Sequence, residues 1–397
     1  MNGGCISALS YLSNPLKHGT GIGVQFRPAG NSIESNPNNM NSAALENWAT
    51  WQEIHAQPAI WESWADTLDV QKLRAWVRAQ NVTEVWFCGA GTSAYIGDII
   101  CAGLEGQSGL ALRAVATTDL VSRPRDYLSG KWPLVVSFGR SGNSTESIGT
   151  LDALDALAPD APRLNITCNK DGALAVRPAT GAHKVVVLPD ACHDRAFAMT
   201  SSFSTMLLTA LAVFDQSGTD IGALKQMAKT LREALPRFHA ALPAVPARAV
   251  FVGAGPLAFA AREAALKVME LSAGAIPALW DSTLGFRHGP KSFVTDDTLI
   301  TVFLSHDADT VRYDLDLAQE LRHQFPKAQV ITIGAGGDIG LDMPNGDTWG
   351  APLAIAFAQV AGVFWSTQMG LDVDDPFVGR STLSRVVSGV QLYPVTP

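Results

Sequence analysis

Two short apolar runs, Val85-Trp86-Phe87-Cys88 and Ala249-Val250-Phe251-Val252, each end in Gly-Ala-Gly and lead into a stretch of helical periodicity. Apolar runs of this length closed by glycine predict buried strands. The likeness continues at nearly constant offset, with residues 134–138 matching 301–305 and residues 163–167 matching 329–333. Helical stretches over 144–157 and 314–325 lie between them. Alternation of strand and helix in both halves predicts an α/β protein made of two similar domains, each a parallel sheet covered by helices on both faces. No strand is expected in the second half about 20 residues beyond Gly255, where a dinucleotide fold would need one.

Around these halves the pattern changes. Residues 1–41 are rich in Asn, Ser, Pro and Gly and read as a flexible arm, with Met40 as an alternative start. A helical segment follows over 42–78, opened by Ser42 as N-cap. It puts Trp48, Trp51 and Ile54 on one face, is interrupted at Gln57-Pro58, and continues through Trp61 and Trp64. The first domain is placed at 79–215 and a helical linker at 216–247, which ends where Pro243 and Pro246 leave no room for helix. The second domain then spans 248–397. Residues 349–371 carry no charge and are long enough to span a bilayer, but Pro352, Gln359, Ser366, Thr367 and Gln368 fit a helix buried in protein or between subunits.

Charge and cysteines narrow the function. A net charge of -8 over 397 residues, without a basic stripe, argues against nucleic-acid partners and anionic membrane surfaces. Cys5, Cys88, Cys101, Cys168 and Cys192 show no CxxC spacing, and no apolar leader follows a basic start, which fits a reducing cytoplasm. The eight histidines include no HxH or HxxxH pair, so no metal is expected; Cys192-His193-Asp194 is placed in a loop near a helix start.

Candidate chemistry concentrates in two places. In the second half, Glu263, Lys267 and Glu270 recur at +4 and +3 and share one helix face, a spacing common to solvated ion-pair ladders and to acid/base sites. The helix starts at the carboxyl end of a strand, where open α/β sheets bind ligands. Downstream, His288 precedes the turn Gly289-Pro290. In the first half, Gly91-Thr92-Ser93 and Arg140-Ser141-Gly142-Asn143-Ser144 each join a strand to a helix, offering N–H groups, hydroxyls and a helix N-terminus to an anion such as phosphate. The matching second-half loop, Ser305 to Asp309, carries two carboxylates and would repel one. Gly89-x-Gly91 and Gly253-x-Gly255 fit a dinucleotide fingerprint loosely, but the first half offers Arg113 where an acid is wanted, so no cofactor is expected.

With these residues in hand, residues 42–393 resemble the sugar isomerase (SIS) domain family, in particular the double-SIS isomerase half of glucosamine-6-phosphate synthase. The resemblance rests on Gly91-Thr92-Ser93, Arg140 to Ser144, Glu263 to Glu270, His288-Gly289-Pro290 and Asp372-Val373-Asp374-Asp375-Pro376. It implies two tandem SIS domains, each a flavodoxin-like or Rossmann-like three-layer sandwich, with the first-half loops as the sugar-phosphate clamp. It also implies that Glu270, alongside Lys267, moves a proton between C1 and C2 while His288 opens the sugar ring, in a homodimer or higher homo-oligomer where His288 reaches the neighbour's site.

Two departures are informative. The family's Ser-Gln-Ser-Gly-Glu-Thr loop reads Gly139 to Ser144 here, and Arg385 stands where the synthase has a Schiff-base lysine. Arginine cannot form that imine. Both features look like the galactosamine-6-phosphate deaminase/isomerase (tagatose-6-phosphate ketose/aldose isomerase) branch, which implies deamination of a hexosamine 6-phosphate. Simple ketose/aldose isomerisation, fructosamine-phosphate deglycation and a non-catalytic sugar-phosphate sensor are the alternatives, and retention of Glu270 and His288 favours an enzyme.

Overall fold

The structure of the protein, a computed structural model, describes residues 42–107, 109–219, 221–379 and 384–396. The arm expected over 1–41 lies outside the described residues. The first segments are α1 (Ser42–Glu46), α2 (Ala49–Thr67) and α3 (Val70–Ala79). Then come β1 (Glu84–Gly89), α4 (Thr92–Leu104), β2 (Ala111–Ala116), α5 (Thr117–Ser122), α6 (Pro124–Leu128), β3 (Leu134–Gly139) and α7 (Thr145–Leu157). β4 (Arg163–Thr167), α8 (Ala173–Val176), β5 (His183–Val187) and α9 (Ser201–Phe214) complete the first half, and α10 (Gly222–Ala240) leads out of it. The second half holds β6 (Arg248–Gly253), α11 (Pro256–Leu271), β7 (Ala278–Ser282), β8 (Thr298–Phe303), α12 (Thr310–Gln324), β9 (Gln329–Gly334), β10 (Ile339–Gly340) and α13 (Gly346–Gln368).

The duplication appears as two five-stranded sheets of one topology. Their orders are β2-β1-β3-β4-β5 and β7-β6-β8-β9-β10, with every pairing parallel. β1, β3, β4 and β8 are buried nearly throughout, as continuous apolar runs covered on both faces require.

Two expectations change. β7 exists and pairs in parallel with β6, although Ala278 to Ser282 mixes apolar and polar residues and is only half buried, so it lacks the apolar signature of its neighbours. Pro58 does not interrupt α2: the side-chain Nε2 of Gln57 donates to the Ile54 carbonyl at 3.1 Å, satisfying the acceptor that proline leaves unpaired. The break falls earlier, between α1 and α2, where Asp374 accepts the Ala49 and Thr50 N–H groups at 2.8 Å each.

The uncharged stretch forms α13 and is buried inside its own chain, packed chiefly on α11 and α10. It is the one described helix long and apolar enough to cross a membrane. Its uncharged surface is used up by the chain's own core and supplies no evidence for a subunit interface.

Candidate active site

The two halves meet through α4 and α11, and this packing makes the site. Each helix starts at a glycine with positive φ, Gly91 at 55° and Gly255 at 53°, so each strand turns abruptly into its helix. Arg262 on α11 stacks on Tyr95 and reaches Asp98 of α4 at 2.8 Å, which holds the helices in register. That register turns the Glu263, Lys267, Glu270 face towards Thr92.

The result is a buried cation shared across the halves. Lys267 Nζ lies 2.5 Å from Glu270 Oε2, 3.0 Å from Thr92 Oγ1 and 3.3 Å from Glu263 Oε1, which uses all three of its donors. Thr92 in turn donates to Glu263 at 3.2 Å. Lys267 and Glu263 have no exposed surface, while the Glu270 side chain keeps 22%. A solvated ion-pair ladder is thereby excluded.

Burial pushes the Glu263 carboxyl up to about 7 despite the pull of Lys267, and its Oε2 is buried without a partner. Burial works against the Lys267 charge, but Glu263 and Glu270 more than reverse this and hold its pKa above the ordinary value. One ammonium faces two carboxylates, so Glu263 carries the spare proton as pH falls.

Facing this triad is a cavity of about 300 Å³ at the carboxyl ends of β1 and β3. Gly91, Thr92, Ser93, Ser141, Gly142 and Ser144 line it on one side, Lys267 and Glu270 on another. Ser144 caps α7 by accepting the Ser147 N–H at 3.2 Å, and Gly142 takes φ 65° so that the loop can turn under the helix N-terminus. The cavity combines hydroxyls and a helix N-terminus with a carboxylate–ammonium pair, suited to an anionic, polyhydroxylated ligand. The second-half counterpart is closed by its own carboxylates: Asp307 accepts from Thr310, and Asp347 from Ser305 and His306.

Other expected residues stand differently. Arg140 lines the cavity, yet its guanidinium is buried and donates to the carbonyls of Ala196, Phe197, Ala198 and Arg385, so its fork is not free for phosphate. Arg385 likewise donates to the carbonyls of Asp194 and Arg195 at 2.5 and 2.9 Å. Asn143 is exposed and turned aside, its Oδ1 accepting the Ala173 N–H at 2.8 Å. His288 is exposed and does not line the cavity of its own chain.

The expected Arg385 lines the cavity, whereas sequence reading missed Phe197, Met199 and the neighbours of Arg385, namely Ser384, Val386 and Val387, which also line it. The last reach it because the Val387 carbonyl accepts the Thr145 N–H at 3.3 Å. No local periodicity marks any of them. Cys192 ends a short 3-10 turn and is buried against Cys168, in the loop before α9. Among the described residues no group of three or more His, Cys, Asp or Glu is placed to hold a metal.

Fold and site together define a double-SIS phosphosugar isomerase architecture. The structure resembles tagatose-6-phosphate ketose/aldose isomerase from Escherichia coli with a TM-score of 0.79 and 36% identity, over 88% of this chain and 98% of that one. The C-terminal domain of glucosamine-fructose-6-phosphate aminotransferase from Francisella tularensis shares the fold, with a TM-score of 0.65 at 20% identity, over 83% of this chain and 98% of that one. No family model matches the chain.

The sequence is 38% identical to D-galactosamine-6-phosphate deaminase AgaS of Escherichia coli, over 89% of this chain and 97% of that protein. It is also 38% identical to the AgaS of Shewanella sp. (strain ANA-3), over 87% and 92%. The chain belongs to the AgaS family of double-SIS phosphosugar enzymes.

Proposed function

We propose that this protein deaminates galactosamine 6-phosphate to a ketose 6-phosphate and ammonia. The phosphate sits on the Gly91–Ser93 and Ser141–Ser144 loops. After ring opening, Glu270 takes the C2 proton and returns it to C1, with Lys267 holding the carboxylate in place. The amine nitrogen then becomes a C2 imine, and water adds to that carbon and displaces ammonia, so the step is hydrolytic and needs neither metal nor nicotinamide. Because the substrate brings its own nitrogen, an imine-forming lysine at position 385 is not required.

The observation that carries this reading is the Lys267–Glu270 pair, 2.5 Å apart and facing the hydroxyl-lined loops. The 38% identity to deaminases of that specificity supports the choice of substrate. Ammonia release from purified protein given galactosamine, glucosamine and mannosamine 6-phosphates tests it; no ammonia from any of them overturns it. The likeness to a tagatose-6-phosphate ketose/aldose isomerase supports a second reading, isomerisation without deamination, which the same assay separates by following ketose without ammonia.

The working unit in this proposal is a cytoplasmic homodimer, in which His288 opens the ring in the partner's cavity. Its exposure, away from its own chain's cavity, supports that arrangement. The first SIS domain, 79–215, is the binding half, and the second, 248–397, supplies the catalytic helix and the histidine turn.

A further inference from the structure

The segment Asp194 to Ala198 has no regular secondary structure, so its backbone cannot satisfy itself. Groups from remote parts of the chain do so instead. On one side, Glu53 of α2 accepts the N–H groups of Arg195 at 2.6 Å and Ala196 at 3.4 Å, and the Asp374 carbonyl accepts that of Phe197 at 2.9 Å. On the other side, Arg385 donates to the carbonyls of Asp194 and Arg195, and Arg140 to those of Ala196, Phe197 and Ala198.

Two consecutive peptide groups therefore stand with their N–H ends on the Glu53 carboxylate and their C=O ends on the Arg385 guanidinium. This polarises both groups in the same sense and strengthens each charge-assisted bond. The segment leads directly into the cavity wall, since Phe197 and Met199 line it.

We propose that Glu53 is a positioning residue of the sugar-phosphate cavity: through the peptide groups of residues 194–196 it holds Arg385 and, together with Arg140, sets the wall formed by Phe197 and Met199. Glu53 touches no part of the cavity itself, and its effect passes through the segment. The inference rests on the reading of the cavity as the sugar-phosphate site.

The surroundings of Glu53 make its hold depend on pH. It is buried at 8% exposure, and its Oε2 has no partner. Asp194 and Asp374 face it, Arg195 Nε lies 3.9 Å away, and Asp190 and His193 line the small cleft beside it. Burial, then the charge of Asp194, pushes the carboxyl up to about 7. The carboxylate, which accepts N–H bonds more strongly than the neutral acid, therefore forms across the neutral range.

The test is calorimetric binding of galactitol 6-phosphate, an open-chain sugar phosphate that cannot react, to wild type, Glu53→Ala and Glu53→Gln. Glu53→Ala is expected to bind roughly tenfold more weakly, the scale of a lost charge-assisted bond. Glu53→Gln keeps an acceptor and should match wild type near about pH 6, then fall several-fold behind it near about pH 8. Ionisation of the ligand is common to all three proteins and cancels in the ratios.

Equal affinity of folded Glu53→Ala and wild type overturns the proposal. If Glu53→Ala does not fold, a Glu53→Gln to wild-type ratio that stays flat over that pH range overturns it instead. Absence of sugar-phosphate binding by wild type would overturn the cavity reading as well, which separates the two failures.

Discussion

Lys267 of α11 holds Glu270 at 2.5 Å while remaining wholly buried, so the candidate base is tethered to a buried cation. The same ammonium bonds Thr92, whose helix belongs to the other half. The candidate base and the join between the halves therefore share one buried cation.

Lys267→Met should cost both. Removing the cation leaves Glu263 and Glu270 without a counter-charge, and breaking a buried pair typically destabilises by about 3–5 kcal/mol. The thermal unfolding midpoint should fall by several degrees and turnover should drop with it. An unchanged midpoint would show that the triad contributes nothing to stability.

Glu270→Gln keeps the side-chain volume and removes the proposed base. Turnover should fall by roughly 10²–10⁴, the range for a positioned general base, while galactitol 6-phosphate still binds. Steady-state kinetics beside calorimetry checks this split. Ser141→Ala should do the reverse, weakening binding with a smaller effect on turnover.

Glu263 makes stability depend on pH. Its folded pKa, about 7, lies above its ordinary value of 4.5, so the contribution it makes in acid is lost as pH rises between these two values. Glu263→Gln cannot ionise and should gain on wild type across that window. Denaturant unfolding of both proteins at pH values spanning it checks the sign, and a difference independent of pH would refute it.

Activity should survive chelator treatment. The cavity lining offers an acid/base pair and hydroxyls, and among the described residues no cluster suited to a metal accompanies them. Ammonia release after exhaustive treatment with a chelator checks this; loss of activity restored by a divalent cation would contradict it.

Shared sites predict complementation. Glu270→Gln and His288→Asn should each be poorly active alone, whereas a mixed dimer contains one site with both groups intact. Random pairing makes about half the dimers mixed, so co-expression should recover roughly a quarter of wild-type activity. No recovery, with the mixed dimer seen by mass, would place both residues in one chain's site or remove one from the chemistry.

Short-range pattern by itself determined the duplicated strands with their Gly-Ala-Gly ends, the helices that follow them, the Ser141–Ser144 turn and the shared face of Glu263, Lys267 and Glu270. Each is set by backbone geometry over a few residues, and periodicity records that directly. Only the tertiary structure decided that this face is a buried triad, because the same spacing serves a solvated surface. Burial comes from α4 packing on α11, helices some 170 residues apart in sequence, as in the Thr92 to Glu263 bond. Long-range partners also decided that Arg140 and Arg385 grip the 194–198 backbone, that Gln57 repairs the helix at Pro58, and that the half-polar β7 is a strand. A side chain's nearest neighbours in space set its charge state and its hydrogen bonds, and those neighbours exist only once the halves have packed.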